Sequence, residues 1–206
     1  MDKPKRKIVT AFILMLCLAV AVVAVYYFIS RRTGEEAEDM AEPGSEIEKL
    51  IQKDLDTKYP ATPSEVVKLY WRFNKCMYNT DMSDENFEQL LKQLRKLYDE
   101  EFLADKENSW ENMLKNFKKD RDEYMSRKRI IAMYTIEPSS SAVYGKLDSG
   151  KCVTIMCNVM LKEKAKRINI VEKFMCRCDK DNNWKILGWD EVNSEDSGSE
   201  DNSAKK

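Results

Sequence analysis

Residues 151–178, KCVTIMCNVMLKEKAKRINIVEKFMCRC, decide the fold because they read as two amphipathic strands joined by a turn. Apolar and polar side chains alternate in both halves, which indicates β-strands with one buried face each. The two buried faces share one side of the sheet only if the numbers of two opposed residues add up to an odd number. A slip of one residue would turn the apolar side chains of one strand to the other face. A short turn near Lys164–Ala165 then predicts a hairpin in which Val153 faces Cys176.

The same register separates the cysteines of the hairpin. Cys152 is expected opposite Arg177, on the face away from Cys176 and Cys178. Those two lie two residues apart on one strand, at about 6.6 Å between Cα atoms, near the upper limit for a bridge. The one-residue gap in CRC is also not the spacing of a zinc site. We therefore predict no disulfide and no metal, with the cysteines acting as small buried hydrophobes.

Further strand patterns flank the hairpin. They are RIIAMYTIE (129–137) and SAVYGKL (141–147) before it, and WKILGWDEV (184–192) after the polar turn DKDNN (179–183). DKDNN resembles the start of a calcium loop, but Trp184 stands where that loop requires glycine. The pattern predicts a mostly antiparallel sheet of about five strands.

Helix signals precede the strands. Thr62, Pro63 and Glu65 form a capped start, and Ser83 and Ser109 cap two further helices with apolar periodicity. The second helix is predicted to carry an apolar face as far as Phe102. Helices followed by strands indicate an α+β fold, with three helices packed on one face of a curved sheet.

Glu172 is the one charge on the apolar face of its strand, between Ile170 and Phe174. If the DKDNN turn pairs Cys178 with Trp184, Glu172 lies opposite Asp190. Two carboxylates on adjacent strands repel each other, and repulsion and burial would raise the pKa of one of them. The alternative is a bulge at Gly188 that turns Asp190 outward.

The N-terminal stretch from Ile8 to Ser30 contains no charged residue. As a helix it would span roughly 35 Å, enough for a hydrocarbon core of about 30 Å. Four basic residues precede it and two follow, which predicts a cytoplasmic N-terminus and an outward domain. A cleaved signal peptide is the alternative, with Ala19–Ala21 as the cleavage site, but the apolar run continues beyond Ala21.

These patterns divide the chain into five parts. They are a basic cytoplasmic leader (1–7), a transmembrane helix (8–30), an acidic tether with a short helix capped by Ser45 (31–61), an extracytoplasmic α+β domain (62–192) and a disordered acidic tail (193–206).

Residues 64–189 hold 24 basic and 20 acidic residues, a net charge of +4. The basic segment KEKAKR at the hairpin turn reads as a solvated tip, with anionic lipid or wall polymer as the alternative contact.

Composition argues against several function classes, because the 206 residues include no histidine and only six glycines. Without histidine, a Ser-His or Cys-His nucleophile within the chain is excluded. The phosphate-binding patterns GxxxxGK[ST] and GxGxxG are absent. No basic-aromatic stripe indicates nucleic acid, and we expect no cofactor.

The order of helices and strands, ending in NNWKILGW (182–189), resembles the nuclear transport factor two-like cone fold. Two segments, YPATPSEVVKLYWRFNKCMYN (59–79) and LRKLYDEEFLA (94–104), are similar to segments in single-span membrane proteins of Gram-positive anaerobes. The resemblance implies an anchored, outward-facing domain with a cavity between helices and sheet. It implies no activity, so no functional residue is transferred from it.

We therefore expect a non-enzymatic, membrane-anchored module that binds a small ligand or another envelope protein, with the bilayer contacting residues 8–30. One alternative is an isomerase or lyase that uses Glu172 and Asp190, and another is a structural subunit of an envelope complex. The expected binding residues are Tyr134, Asn158, Glu172, Phe174 and Trp184, around the cavity that the cone fold implies.

An uncleaved anchor predicts that the mature protein retains its N-terminal residues and that protease added to intact protoplasts removes the folded domain. Sequencing the N-terminus of the purified native protein checks the first expectation. A mature N-terminus near Val22 would show instead that the apolar run is a signal peptide.

Overall fold

The central hairpin forms as predicted in the computed structural model, which describes residues 43–138, 140–147 and 150–192. Val153 faces Cys176 and Cys152 faces Arg177, so the predicted register is confirmed. The strands are β1 (Arg129–Ile136), β2 (Val143–Leu147), β3 (Gly150–Glu163), β4 (Lys166–Cys178) and β5 (Trp184–Glu191). Neighbouring strands are antiparallel in the order β1-β3-β4-β5, with β2 also paired to β3.

In the described part of the chain, five α-helices accompany the sheet, and the predicted α+β class is confirmed. They are α1 (Pro43–Ile51), α2 (Pro63–Asn79), α3 (Asp84–Arg95), α4 (Glu100–Ala104) and α5 (Trp110–Arg127), with a 3-10 turn at Lys106–Asn108. The predicted caps are confirmed at Thr62, Ser83 and Ser109. Thr62 and Glu65 form a reciprocal capping box, which fixes where α2 begins.

The core lies between the helices and one face of the sheet, the inner face. Alternate residues of β3 from Val153 to Leu161 are at most 5% exposed, as the alternation predicts. They share the core with Phe73 and Met77 of α2 and with Phe174 of β4. Apolar burial of this kind is the main favourable term in folding, so the sheet and α2 depend on each other for stability.

The second predicted helix is shorter than expected. The apolar pattern predicted one helix as far as Phe102, but α3 ends at Arg95 and Phe102 lies on α4. Between them, the Ile186 amide donates to the Leu97 carbonyl at 2.8 Å, and the Asp99 amide donates to the Ile186 carbonyl at 2.9 Å. The helix stops here because these backbone groups cover the outer edge of β5, which would otherwise be unpaired.

The helix within the predicted tether is longer at its start and is part of the folded core. It begins at Pro43 rather than after Ser45, and it ends at Ile51. Ile47, Leu50 and Leu55 are buried in the core, although they fall in the stretch assigned to the tether. Their burial extends the folded domain to the N-terminal side of residue 62.

The predicted transmembrane helix (8–30), the basic leader and the acidic tail (193–206) lie outside the described residues. Among the residues that are described, no helix is both long and apolar enough to cross a bilayer.

A buried ion pair joins the α3–α4 connection to β4. Asp99 is 3% exposed, and its carboxylate accepts hydrogen bonds from two nitrogens of Arg177, one of them at 3.0 Å from Nε to Oδ2. The same carboxylate caps α4 by accepting from the Glu101 amide at 2.8 Å. Arg177 also donates to the Glu101 carboxylate at 2.7 Å. Both partners are therefore tied into the fold at several atoms.

Replacing Asp99 with alanine is expected to lower the free energy of unfolding by about 2–3 kcal/mol, because the half-buried Arg177 guanidinium loses its charge-assisted hydrogen bonds to a buried carboxylate. The matched control is Asp105→Ala, which removes an exposed aspartate that caps the next short turn and should cost about 1 kcal/mol. Urea unfolding followed by tryptophan fluorescence measures both. Equal losses in the two variants would show that the ion pair contributes no more than a surface cap.

Candidate functional site

Glu172 lies on the inner face of β4, where the strand passes beneath the helices. Its neighbour on β3 is Cys157, as predicted, and its neighbour on β5 is Glu191. Glu172 is half-buried and Glu191 is exposed. Two carboxyl groups on neighbouring strands, those of Glu172 and Glu191, are therefore paired at the end of β5.

The partner predicted for Glu172 was wrong. The register of β4 and β5 starts as predicted, with Cys178 opposite Trp184, but it shifts by one residue between Met175 and Cys176. Asp190 then faces Lys173 and is exposed, which is the outward orientation that the bulge alternative predicted. A bulge inserts one residue into one strand, and this inverts the faces of all residues beyond it.

The bulge does not depend on the special freedom of glycine. A side chain added at Gly188 would meet no heavy atom within 4 Å. Gly188 also lies outside the left-handed region of backbone conformation, where glycine is favoured. The residue is compatible with the bulge without being required for it.

Aromatic rings fill the interior on the β5 side of Glu172. Trp189 lies 5.5 Å from Tyr70, 5.9 Å from Tyr98 and 5.6 Å from Phe102, measured between ring centroids. Phe174 stacks on Trp189 at 6.0 Å. These rings occupy the space that a deep cavity would need, so access to Glu172 is from its other side.

That other side is less covered. Ile168 and Ile170, which precede Glu172 on the same face of β4, are half-buried. Tyr124 of α5 is also half-buried; its ring stacks on Tyr78 and contacts the guanidinium of Arg129. We call the half-buried carboxyl group of Glu172, together with these half-buried apolar and aromatic groups, the shallow site.

The electrostatic environment of Glu172 disfavours its charged form. Burial, and then the negative charge of Glu191, raises the pKa of Glu172 to about 7. Its Oε2 atom is buried and has no hydrogen-bond partner among the described residues. A carboxyl group in this state exchanges its proton near neutral pH.

Buried groups around Glu172 respond to its charge. Burial, and then the charge of Glu172, raises the pKa of the Cys157 thiol to about 12. Burial is also the main cause that raises the pKa of the phenols of Tyr70, Tyr98 and Tyr124, and the charge of Glu172 adds to it in each. These groups therefore stay protonated at neutral pH while Glu172 titrates.

The other predicted site residues are only partly brought together. Phe174 is fully buried beside Trp189, and Tyr134 lies on the inner face of β1, stacked on Trp71 at 6.2 Å. Trp184 lies six residues along the sheet from Glu172, roughly 20 Å away. Asn158 is exposed on the outer face, because it alternates with the buried Cys157 and Val159. Asn158 and Trp184 therefore do not belong to the site.

Sequence reasoning missed Glu191, Tyr98 and Trp189. Glu191 would have followed from placing a bulge before residue 190, and the isolated Gly188 in a strand pattern was the signal for it. Tyr98 falls within the stretch predicted as the second helix, and nothing local indicates that this segment leaves the helix to pair with β5.

The cysteines and the DKDNN turn have structural explanations. The cysteines of the described residues, namely Cys76, Cys152, Cys157, Cys176 and Cys178, are free thiols. The Asp179 carboxylate accepts from the amides of Asp181 and Asn183, at 2.9 and 2.8 Å, and so closes the turn. Within the described ranges, no group of three His, Cys, Asp or Glu side chains could hold a metal ion.

Fold and site together define an α+β domain with a half-buried carboxyl group on the inner face of its sheet, whose Oε2 atom has no partner among the described residues. The chain belongs to the family described as "Domain of unknown function (DUF6715)", which it matches over residues 1–189. A comparison with curated proteins gave no match.

Replacing Glu172 with glutamine is expected to stabilise the protein at pH 8 and to flatten its pH dependence. The folded-state pKa is raised above the usual value of 4.5, so the folded protein holds an extra proton between about pH 4.5 and 7. Stability is therefore lost as pH rises through this window, by about 2–3 kcal/mol from pH 5 to pH 8.

Urea unfolding at pH 5 and pH 8 measures this difference between wild type and Glu172→Gln. Asp190→Asn, which removes an exposed carboxylate from the outer face of the same strand pair, is the control and should retain the wild-type slope. If Glu172→Gln also retains that slope, Glu172 does not titrate in this window.

Proposed function

We propose that the chain is a membrane-anchored, outward-facing binding module whose ligand site is the shallow site at Glu172. The observation that carries the proposal is the buried Oε2 atom of Glu172, which has no hydrogen-bond partner among the described residues. An unsatisfied buried acceptor costs about 1–3 kcal/mol, and more when it is charged. A bound group that donates to it would remove that cost, which makes this atom the natural centre of a binding site.

The anchor and the outward orientation are supported by the apolar run 8–30 and its basic flank. The family match extends from residue 1 to residue 189, so it includes both this run and the folded domain. The order of helices and antiparallel strands supports the resemblance to the nuclear transport factor two-like cone fold.

A second candidate function is proton transfer in an isomerase or lyase. The observation that favours it is the pKa of Glu172, about 7, because a general acid or base works best with a pKa near the working pH. Glu191 would then replace Asp190 as the second carboxylate. Binding without catalysis remains our first choice, since the ring cluster leaves only a shallow site beside Glu172.

A third candidate is a structural subunit, which is favoured by the same cluster of rings. Tyr70, Tyr98, Phe174 and Trp189 pack against each other where a deep cavity would otherwise be. In a structural subunit, the buried carboxyl oxygen of Glu172 would only lower the stability of the fold and would have no role in binding.

Fluorine NMR of the full chain, labelled with 5-fluorotryptophan and held in detergent micelles, tests whether ligands bind at Glu172 and so distinguishes a ligand site from a purely structural role. A library of small amines, amides and carbonyl compounds is added, and ligands at Glu172 are expected to shift the Trp189 signal. Trp110 is the internal control, because it lies at the start of α5 against Lys92. If no compound shifts Trp189 selectively, or if the shifts persist in Glu172→Leu, the proposed site is wrong.

A further inference from the structure

The groups that pair with Glu172 across the sheet, or that interact with its charge, are acidic or neutral. They are Cys157 on β3, Glu191 on β5, Tyr70 on α2, Tyr98 before α4 and Tyr124 on α5. Among the described residues, no lysine or arginine pairs with Glu172. The protein thus leaves a negative site without a cation of its own.

The basic group beside Tyr124 already has partners. The guanidinium of Arg129 lies 5.3 Å from the centroid of the Tyr124 ring. It also pairs with Glu163 at 2.8 Å and with Glu123 at 3.7 Å. Its charge is therefore shared with these carboxylates, which leaves Glu172 open to a cation from outside the domain.

The Oε2 atom of Glu172 is itself buried and has no hydrogen-bond partner among the described residues. Buried polar groups normally find a partner, so this oxygen is an acceptor that can take a donor from outside the domain.

The surroundings favour an organic cation over a metal ion. Calcium takes six to eight oxygen ligands, and the described residues hold no cluster of three ligating side chains at this site. Ile168, Ile170 and the ring of Tyr124 instead offer apolar contact beside the carboxyl group. A charged nitrogen on a carbon skeleton matches both features, and aromatic rings add cation–π attraction.

We infer that the shallow site at Glu172 takes a primary organic ammonium group, either a small amine or the amino group of a longer ligand. The ammonium group donates to the Glu172 carboxylate, and Glu191, its exposed neighbour on β5, adds a second negative charge. This inference rests on the proposed binding function and narrows it to one ligand chemistry.

Benzylamine, which stays protonated between pH 5.5 and pH 8, is the probe, and benzyl alcohol is its neutral counterpart. Full chain labelled with 5-fluorotryptophan is titrated with each, and the Trp189 signal is followed. Only ionised Glu172 pairs with the ammonium group, so benzylamine should bind about thirtyfold more tightly at pH 8 than at pH 5.5. Benzyl alcohol should bind more weakly than benzylamine at pH 8.

Glu172→Gln removes the charge and keeps the shape, so it should abolish this pH dependence and weaken benzylamine binding to the level of benzyl alcohol. Asp190→Asn should bind as wild type does. Benzylamine affinity that is equal at both pH values, or equal to that of benzyl alcohol, overturns the inference.

The two failures are distinguishable. If benzyl alcohol shifts Trp189 and benzylamine does not, Glu172 marks a binding site for neutral ligands and only the ammonium inference fails. If neither probe shifts Trp189, the ammonium inference also fails, and the wider library decides the proposed binding function.

Discussion

The register of the β3–β4 hairpin is the constraint on which the other features depend. Every inner residue of these strands owes its place in the core to that alignment, since a slip of β4 by one residue would turn Phe174 to the face opposite Val153. The slip would also place Glu172 in water, where its charge would cost nothing. The site at Glu172 is thus a consequence of the same alignment that builds the core.

Much of this architecture could be predicted from local signals. The helix starts at Thr62, Ser83 and Ser109 follow from cap residues, which act within one turn of the chain. The hairpin register follows from alternation around a short turn. The end of α3 at Arg95 could not be predicted, because it depends on a partner, Ile186, that lies far away in sequence.

The carboxylate pair shows the same limit at the site itself. Glu172 could be identified because it is one charge on an apolar strand face, and this is a local property. Its partner depends on a single inserted residue in β5, and one residue decides between Asp190 and Glu191. The type of interaction was therefore predictable from the sequence, whereas the identity of the second carboxylate was not.

The pairing of Leu97–Asp99 with β5 has a consequence for the order of folding. Asp99 is joined to Arg177 of β4 by the ion pair and to Ile186 of β5 by a backbone hydrogen bond. The connection between α3 and α4 is therefore complete only when β5, the last strand to be synthesised, is in place. Contacts of such large sequence separation form slowly. Until β5 emerges, Leu97–Asp99 have no strand to pair with and the edge of β4 is unpaired, so a chain released before residue 184 would present an open strand edge to aggregation.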